Sequence, residues 1–231
     1  MYTLHIGNKN YSSWSLRPWV LMRAVGIPFE EQLHRFPEDG SSSYAEFKTF
    51  SPSGYVPVLA DGDSGDIAWD SLGIVGYLAE RHAAVWPAAP KERSWARCAA
   101  AEMHSGFMTL RNNCGMNVGL RCRRPAITPA LQRDLDRLDE LFAEGLDRFG
   151  GPFLAGRAFT AVDAFFCPVA YRALSYDLPL SRRSLDYLAR LRALPAMQDW
   201  ERAALAETFR EPNHDAETAG SHDVIEDLRA K

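Results

Sequence analysis

Three serines close to the N-terminus could bind an anion. Ser12, Ser13 and Ser15 follow a short apolar segment, Tyr2 to Ile6, and precede a helical pattern that continues to Ala24. The first N–H groups of a helix have no partner within the helix, and the helix dipole adds positive charge at the same end. A ligand with a thiolate or a carboxylate would suit such a site. The alternative is that the serines only cap the helix.

The position of Pro18 predicts where this helix begins. Proline has no N–H and is best tolerated in the first turn of a helix, which places the predicted cap at Ser15. Ser12 and Ser13 then lie in the preceding loop, where a ligand can reach them. Trp14 lies between them and the cap, and a tryptophan in a loop favours a packing or ligand contact.

Two further motifs could bind an extended ligand. Val56 precedes Pro57 at the start of a predicted strand, so either this bond is cis or the strand lies at the sheet edge. A cis bond would turn the backbone of Val56 outward, where it could pair with a peptide. Asp70 and Ser71 lie where a strand meets a helix and could bind an ammonium and a carboxylate, although helix capping explains them equally well.

The chain divides into two parts. Residues 1–82 alternate β-rich segments and short helices in the order β-α-β-α-β-β-α, an α/β pattern. Residues 83–92 contain Pro87 and Pro90 and predict a linker. Residues 93–212 are predicted to be all-helical, beginning with a helix from Trp95 to Leu110. The polar tail, residues 213–231, is predicted to be poorly ordered, with room for a final helical turn or two.

The composition excludes several classes of function. The 231 residues are 46% hydrophobic and 24% charged, which is typical of a globular protein. A net charge of -4 gives no support for nucleic-acid binding. No segment resembles a membrane span or a signal peptide, so we expect a cytoplasmic protein. The first cysteine is Cys98, which excludes a redox dithiol before it, and the His and Cys spacings predict no metal site.

Together, the three motifs resemble those of the glutathione transferase superfamily. The nearest resemblance is to its serine-type, zeta-like branch, whose opening motif is Ser-Ser-Cys with an arginine three residues on. Here the motif reads Ser12-Ser13-Trp14, with Arg17 in the arginine position. Trp14 therefore replaces the motif cysteine and removes thiol chemistry there.

The resemblance extends over about residues 1–210 and includes the C-terminal part. Phe159 to Asp163 resembles the capping box of the family's helical domain, with Thr160 as the N-cap and Asp163 at the third helical position. The family fold is a thioredoxin-like, glutathione-binding domain followed by an all-α helical bundle. The resemblance also implies a homodimer.

The resemblance implies a role for each motif. Glutathione would be the cosubstrate, and Ser12 would be the catalytic serine that holds its thiolate, with Ser13 as the second choice. The glutathione-binding residues would be Ser13, Trp14, Tyr55, Val56, Pro57, Asp70 and Ser71. The electrophile site would lie between the domains and contain Tyr11, His104, Met108, Arg111 and Asn112.

Some of these roles stay open. His104 also suits a structural histidine in the core, and Arg111 or Arg17 could attract an acidic substrate. Some relatives bind the glycyl carboxylate of glutathione with a lysine at the position of Ser43, so this contact needs another residue here, for which His34, Arg35 and Lys48 are the open alternatives.

The implied activity is attack of the glutathione thiolate on a small hydrophobic electrophile. One alternative is a glutathione-dependent cis–trans isomerase, similar to maleylacetoacetate isomerase, in which the thiolate adds to a double bond and leaves again. A less favoured alternative is a non-catalytic protein that keeps the fold for protein contacts. Such members tend to lose the hydroxyl loop or the acidic-serine pair, and this chain retains both.

Overall fold

The computed structural model describes residues 1–220 and 222–230. Its N-terminal part consists of β1 (Tyr2–Ile6), α1 (Ser13–Ala24), β2 (Phe29–Leu33), α2 (Tyr44–Phe47), β3 (Val58–Asp61), β4 (Ile67–Ala68) and α3 (Ser71–Ala79). The strands form one sheet in the order β2-β1-β3-β4, in which β1 and β2 are parallel and the other pairs antiparallel. The predicted order of elements is confirmed.

The second part is mainly helical. It consists of α4 (Pro90–Ser105), α5 (Met108–Asn113), β5 (Leu120–Cys122), α6 (Pro129–Phe149), α7 (Ala161–Ser175), α8 (Arg182–Arg192), α9 (Pro195–Ala206), α10 (Pro212–Ala219) and β6 (Val224–Asp227). α7 is buried along almost its whole length and packs against α1, α4 and α8. α4 begins at Pro90, inside the predicted linker, because proline suits the first turn of a helix.

The helical second part is confirmed, although it also contains a short pair of strands, and the tail holds a strand in addition to the helical turns that the sequence allowed. β5 and β6 pair as an antiparallel ladder, and α10 precedes β6 in the tail. Arg229 forms ion pairs with Asp215 at 2.6 Å and with Asp227 at 2.8 Å. Both ion pairs lie within the tail, whereas the N–H groups of Leu228 and Ala230 donate to the carbonyls of Gly119 at 2.9 Å and Leu205 at 2.7 Å and so connect the tail to the rest of the protein.

The predicted start of α1 is wrong. The N-cap is Ser12, and its Oγ accepts the N–H of Ser15 at 3.3 Å. Pro18 therefore lies inside the helix, and Leu16 and Trp19 are buried in the core around it. Packing of α1 onto its neighbours overrides the local preference of proline for the first turn.

The capping box at the start of α7 is confirmed on its carboxylate side. Asp163 accepts the N–H of Thr160 at 3.0 Å and that of Leu154 at 2.9 Å, and the Tyr187 hydroxyl donates to it at 2.9 Å. Burial raises the pKa of Asp163 to about 6. Across residues 1–220 and 222–230, none of the helices has the length and apolar character needed to cross a membrane.

Candidate active site

A cleft between the two parts of the protein contains most of the predicted site residues. We call one portion the serine side; it has a volume of about 440 Å³, and its lining includes Ser12, Ser13, Trp14, Arg111, Arg172 and His214. The other portion, the Asp70 side, has a volume of about 420 Å³ and is lined by Trp14, Ser53, Tyr55, Val56, Pro57, Trp69 and Asp70. Trp14, Tyr55 and Val56 line both portions, so the two sides adjoin at these residues. The Val56-Pro57 bond is cis and precedes β3.

The two candidate serines have different hydrogen bonds. Besides capping α1, Ser12 Oγ donates to Ser15 Oγ at 2.7 Å, and Ser15 Oγ accepts the N–H of Gly7 at 3.1 Å. Ser13 Oγ accepts a hydrogen bond from Arg172 Nη2 at 3.4 Å. The hydroxyl of Ser12 therefore already donates its hydrogen bond to Ser15, whereas the hydroxyl of Ser13 is still able to donate one to a ligand.

Positive charge is concentrated around Trp14. The guanidinium carbon of Arg17 lies 4.2 Å from one ring centroid of Trp14, and that of Arg111 lies 4.4 Å from one. Burial, with Arg111 and Arg172 close by, lowers the pKa of Arg17 to about 9, and burial lowers that of Arg172 to about 10. In the described part of the chain, Nε and Nη1 of Arg17 have no hydrogen-bond partner. The serine side is therefore suited to an anion.

On the Asp70 side, a helix cap and a buried hydroxyl lie next to each other. Asp70 Oδ1 accepts the N–H groups of Leu72 at 2.8 Å and Gly73 at 3.3 Å, and Oδ2 lies 3.3 Å from His104 Nε2. Burial lowers the pKa of His104. Ser71 Oγ is buried and has no hydrogen-bond partner among the described residues. Ser71 is fully buried and lines neither side of the cleft, so the structure does not bring it together with the other predicted glutathione-binding residues.

The loop before Ser12 is held by the C-terminal part of the chain. The Glu207 carboxylate accepts the N–H of Lys9 at 2.6 Å and that of Asn10 at 3.3 Å. Trp200 Nε1 donates to the Lys9 carbonyl at 3.0 Å. Burial raises the pKa of Glu207, although these N–H groups partly oppose the rise. Residues about 190 positions away in the chain thus set the position of the serines.

The sequence of this chain is similar to those of several known proteins. A family model described as "Glutathione S-transferase, N-terminal domain" matches residues 11–81. The chain is 28% identical over 194 residues to a probable maleylacetoacetate isomerase from Vibrio cholerae, which covers 80% of this chain and 89% of the relative. It is 26% identical over 167 residues to a zeta-class glutathione S-transferase from Euphorbia esula, which covers 71% of this chain and 73% of the relative.

The fold of this chain is also similar to that of solved structures. A crystal structure of a glutathione transferase homolog from Burkholderia gl BGR1, with bound glutathione, superposes with a TM-score of 0.64 at 22% identity, over 88% of this chain and 97% of that one. The chain is thus similar to glutathione S-transferases in sequence over its first part and in fold over both parts. Its α/β part followed by a mainly helical part is the glutathione S-transferase fold.

Within this fold, the predicted electrophile residues are only partly brought together. Tyr11 and Arg111 line the serine side, and His104 contacts Asp70. Met108 and Asn112 are exposed and do not line either side of the cleft. The predicted continuous helix ends at Ser105 and a new one begins at Met108, after Phe107 with a φ of 55°, so helical spacing does not carry across the break.

Several cleft residues escaped the sequence analysis. Arg172 is the one charged residue from 164 to 173, and a lone arginine in an apolar helix is a signal that could have found it. His214 lies in the tail that is predicted to be poorly ordered, Glu211 lies just before that tail, and no local motif marks either residue. Trp69 directly precedes the Asp70 motif and lines the same side of the cleft.

Proposed function

We propose that this protein is a glutathione transferase that holds the glutathione thiolate with a hydroxyl at the N-terminus of α1. The observation that supports it most is the single cleft in which Ser12, Ser13, Val56 and Asp70 meet. Glutathione would lie across Trp14, with its γ-glutamyl group on the Asp70 side and its sulfur on the serine side.

One hydroxyl hydrogen bond and one helix N-terminus can supply the free energy that thiolate formation requires. A cysteine thiol has a pKa near 8.5, and lowering it by about two units requires roughly 2.7 kcal/mol. A hydrogen bond from a hydroxyl to a charged acceptor contributes about 1.5–3 kcal/mol, and a helix N-terminus adds about 0.3–1 kcal/mol. One serine and the end of α1 are therefore enough.

The sequence favours Ser12 as the donor to sulfur, whereas the geometry favours Ser13. To donate to sulfur, Ser12 would have to give up its hydrogen bond to Ser15, whereas the Ser13 hydroxyl has no such hydrogen bond to give up. The neighbouring Arg172 also places positive charge beside the Ser13 hydroxyl. We therefore keep both serines in the proposal and separate them by experiment.

The experiment compares Ser12→Ala, Ser13→Ala and, as a matched control, Ser41→Ala, which removes a hydroxyl elsewhere in the lining of the serine side. The ultraviolet absorbance of the bound thiolate is followed as a function of pH. The variant that lacks the donor should raise the thiol pKa by about one to two units, while the control keeps the wild-type value. Wild-type thiolate formation in both Ser12→Ala and Ser13→Ala would contradict the proposed mechanism.

The electrophile should carry a negative charge. Arg111 and Arg172 line the serine side, and Arg17 lies behind Trp14 with unpartnered donors among the described residues. Since buried guanidinium groups favour anionic partners, we propose an acidic electrophile.

Isomerisation is the second candidate reaction, and the similarity to the Vibrio cholerae relative supports it. In that reaction the thiolate adds to a double bond and later leaves. The two reactions differ in their use of glutathione, because conjugation consumes it and isomerisation regenerates it. Quantifying free glutathione during turnover of an acidic alkene separates them.

A non-catalytic role is the remaining alternative. It is tested by isothermal titration with glutathione, since both enzymatic proposals require binding. Absence of binding at millimolar glutathione would contradict both of them.

We also propose a cytoplasmic homodimer, which size-exclusion chromatography with light scattering tests for its oligomeric state.

A further inference from the structure

One histidine in the cleft has the surroundings of an acid–base catalyst. His214 lines the serine side together with Ser12 and Ser13. Its ring stacks between Tyr11, at a centroid distance of 5.2 Å, and Phe36, at 5.3 Å with the ring planes 8° apart. These two contacts fix the plane of the imidazole in the cleft wall.

A buried carboxylate orients the same ring. His214 Nδ1 lies 2.5 Å from Glu211 Oε2, and the Glu211 side chain is 5% exposed, whereas that of His214 is 39% exposed. Glu211 also accepts the N–H of Asn213 at 3.2 Å and that of His214 at 2.7 Å. With Nδ1 facing Glu211, Nε2 is the nitrogen left for a ligand. A carboxylate that orients an imidazole in this way sets its tautomer.

The other groups around His214 are less suited to proton transfer. Burial and Asp215 raise the pKa of Tyr11 to about 12, so this hydroxyl keeps its proton near neutral pH. Tyr11 also bonds Asp215 at 3.1 Å and Arg229 at 3.2 Å. Phe36 is neutral.

The charged groups near His214 are of both signs. Arg111 and Arg172 belong to the same lining, as do Glu211, which is the N-cap of α10, and Glu217 within α10. Glu211 itself is ionised, because the N–H and imidazole of His214 outweigh its burial and lower its pKa. The imidazole therefore has a fixed anionic partner on one side and the cleft on the other.

We propose that His214 is a general acid–base catalyst, positioned by Glu211, that accepts the thiol proton of glutathione and returns it to the substrate. This inference rests on the proposed function. The S–H bond breaks as Nε2 takes the proton. The sulfur then forms a bond to one carbon of an activated double bond, and the π electrons move to the neighbouring carbon, which receives the proton from the imidazolium. No further reactant is needed.

The test counts protons rather than relying on turnover alone. Glutathione and S-methylglutathione, which has no thiol proton, are titrated calorimetrically into the protein in two buffers of different ionisation enthalpy. The difference between the ligands gives the protons released per thiol, and ultraviolet absorbance gives the thiolate formed. The experiment runs at about pH 7.5, where a free cysteine thiol is mostly protonated.

The variants are His214→Gln, Glu211→Gln and, as a matched control, His222→Gln. His222 belongs to the same C-terminal segment but bonds the Asn113 carbonyl and does not line the serine side. In wild type and the control, the thiol proton should stay on the protein, so few protons are released per thiolate. His214→Gln should release about one proton per thiolate formed. Glu211→Gln should release a number of protons per thiolate between those two values. Because glutamine keeps an acceptor for the N–H groups at the start of α10, this variant still tests the proposal if His214→Gln fails to fold.

Turnover gives a second readout. His214→Gln should lower kcat/KM for an acidic alkene about 100-fold and change its pH dependence, with glutathione affinity close to wild type. Equal proton release in wild type and His214→Gln, with thiolate formed in both, would overturn the role of His214 alone. Absence of glutathione binding or thiolate in the wild type would instead overturn the proposed function, and this inference with it.

Discussion

The two sides of the cleft are nearly equal in volume but differ in charge and in assembly. Every residue that lines the Asp70 side lies between positions 14 and 70, and Asp70 is its one charged lining residue. The serine side takes residues from the first 60 positions, from Arg111 to Met116, from α7 and from Glu211 to Glu217, and two arginines and two glutamates line it. One side is built locally, and the other exists only when distant parts of the chain fold together.

This difference extends to the helix caps. Asp70 caps α3 on the Asp70 side and its side chain is 56% exposed, whereas Asp163 caps α7, which carries Arg172, and is fully buried. The locally built side is therefore anchored by a solvated carboxylate. The side assembled from distant segments depends on a buried carboxylate whose ionisation is linked to folding.

The largest expected effect concerns Asp163. Burial raises its pKa from 3.8 to about 6, so between these pH values the folded state holds a proton that the unfolded state has released. This group's contribution to the free energy of unfolding is fully present below pH 3.8 and declines as the pH rises through 6, by roughly 3 kcal/mol in total.

Urea denaturation of wild type and Asp163→Asn from pH 4 to pH 7 tests this. Other ionisable groups contribute equally to both proteins, so the difference between the two curves isolates Asp163. The wild type should lose stability relative to the variant as the pH rises. Parallel curves would show that the carboxylate does not hold its proton on folding.

On the Asp70 side, the key test is Asp70→Asn. Asparagine is as good an N-cap as aspartate, so α3 should persist. Loss of the charged partner of the glutathione ammonium should weaken glutathione binding by about 2 kcal/mol, or roughly 30-fold in Kd. Calorimetric titration measures the affinity, and the KM for the electrophile serves as the internal control. A large change in electrophile KM with unaltered glutathione affinity would reverse the assignment of the two sides.

The same contrast explains how much the sequence could predict. β1, α6 and the order of the first seven elements follow from local patterns, and so do Val56 and Asp70, because each motif lies within a few residues. The cap of α1 could not be predicted in this way, since burial of Leu16 and Trp19 decides where the helix begins.

The serine side was the least predictable part for the same reason. Arg172, Glu207 and His214 reach the serine loop from positions about 160 to 200 residues away, and no spacing rule connects them to it. Met108 and Asn112 fail as predicted cleft residues because a break after Ser105 changes the helical register.

Glu207→Gln tests whether the serine side depends on this long-range contact. Glutamine has one carbonyl oxygen where the carboxylate has two, so an N–H of Lys9 or Asn10 loses its acceptor. We expect a loss of about 1.5 kcal/mol in stability and a rise in the pKa of bound glutathione thiol, with the affinity for S-methylglutathione retained. Glu201→Gln, on the same helix α9, is the matched control. A loss of S-methylglutathione affinity instead would show that Glu207 supports both sides equally.

The smallest expected effect is that of Arg111→Gln on charge selectivity. Arg111 is half-buried and stacks on Trp14, so its charge is partly screened. We expect KM for an acidic electrophile to rise roughly fivefold, which is about 1 kcal/mol, and KM for a neutral one of the same shape to stay constant. In the wild type, added salt should raise the ratio of the KM for the acidic electrophile to the KM for the neutral one towards the variant's value, because ions screen the same field. An equal rise for both electrophiles would mean that Arg111 acts by supporting Trp14, and the positive charge of the serine side would then reside with Arg172 and Arg17.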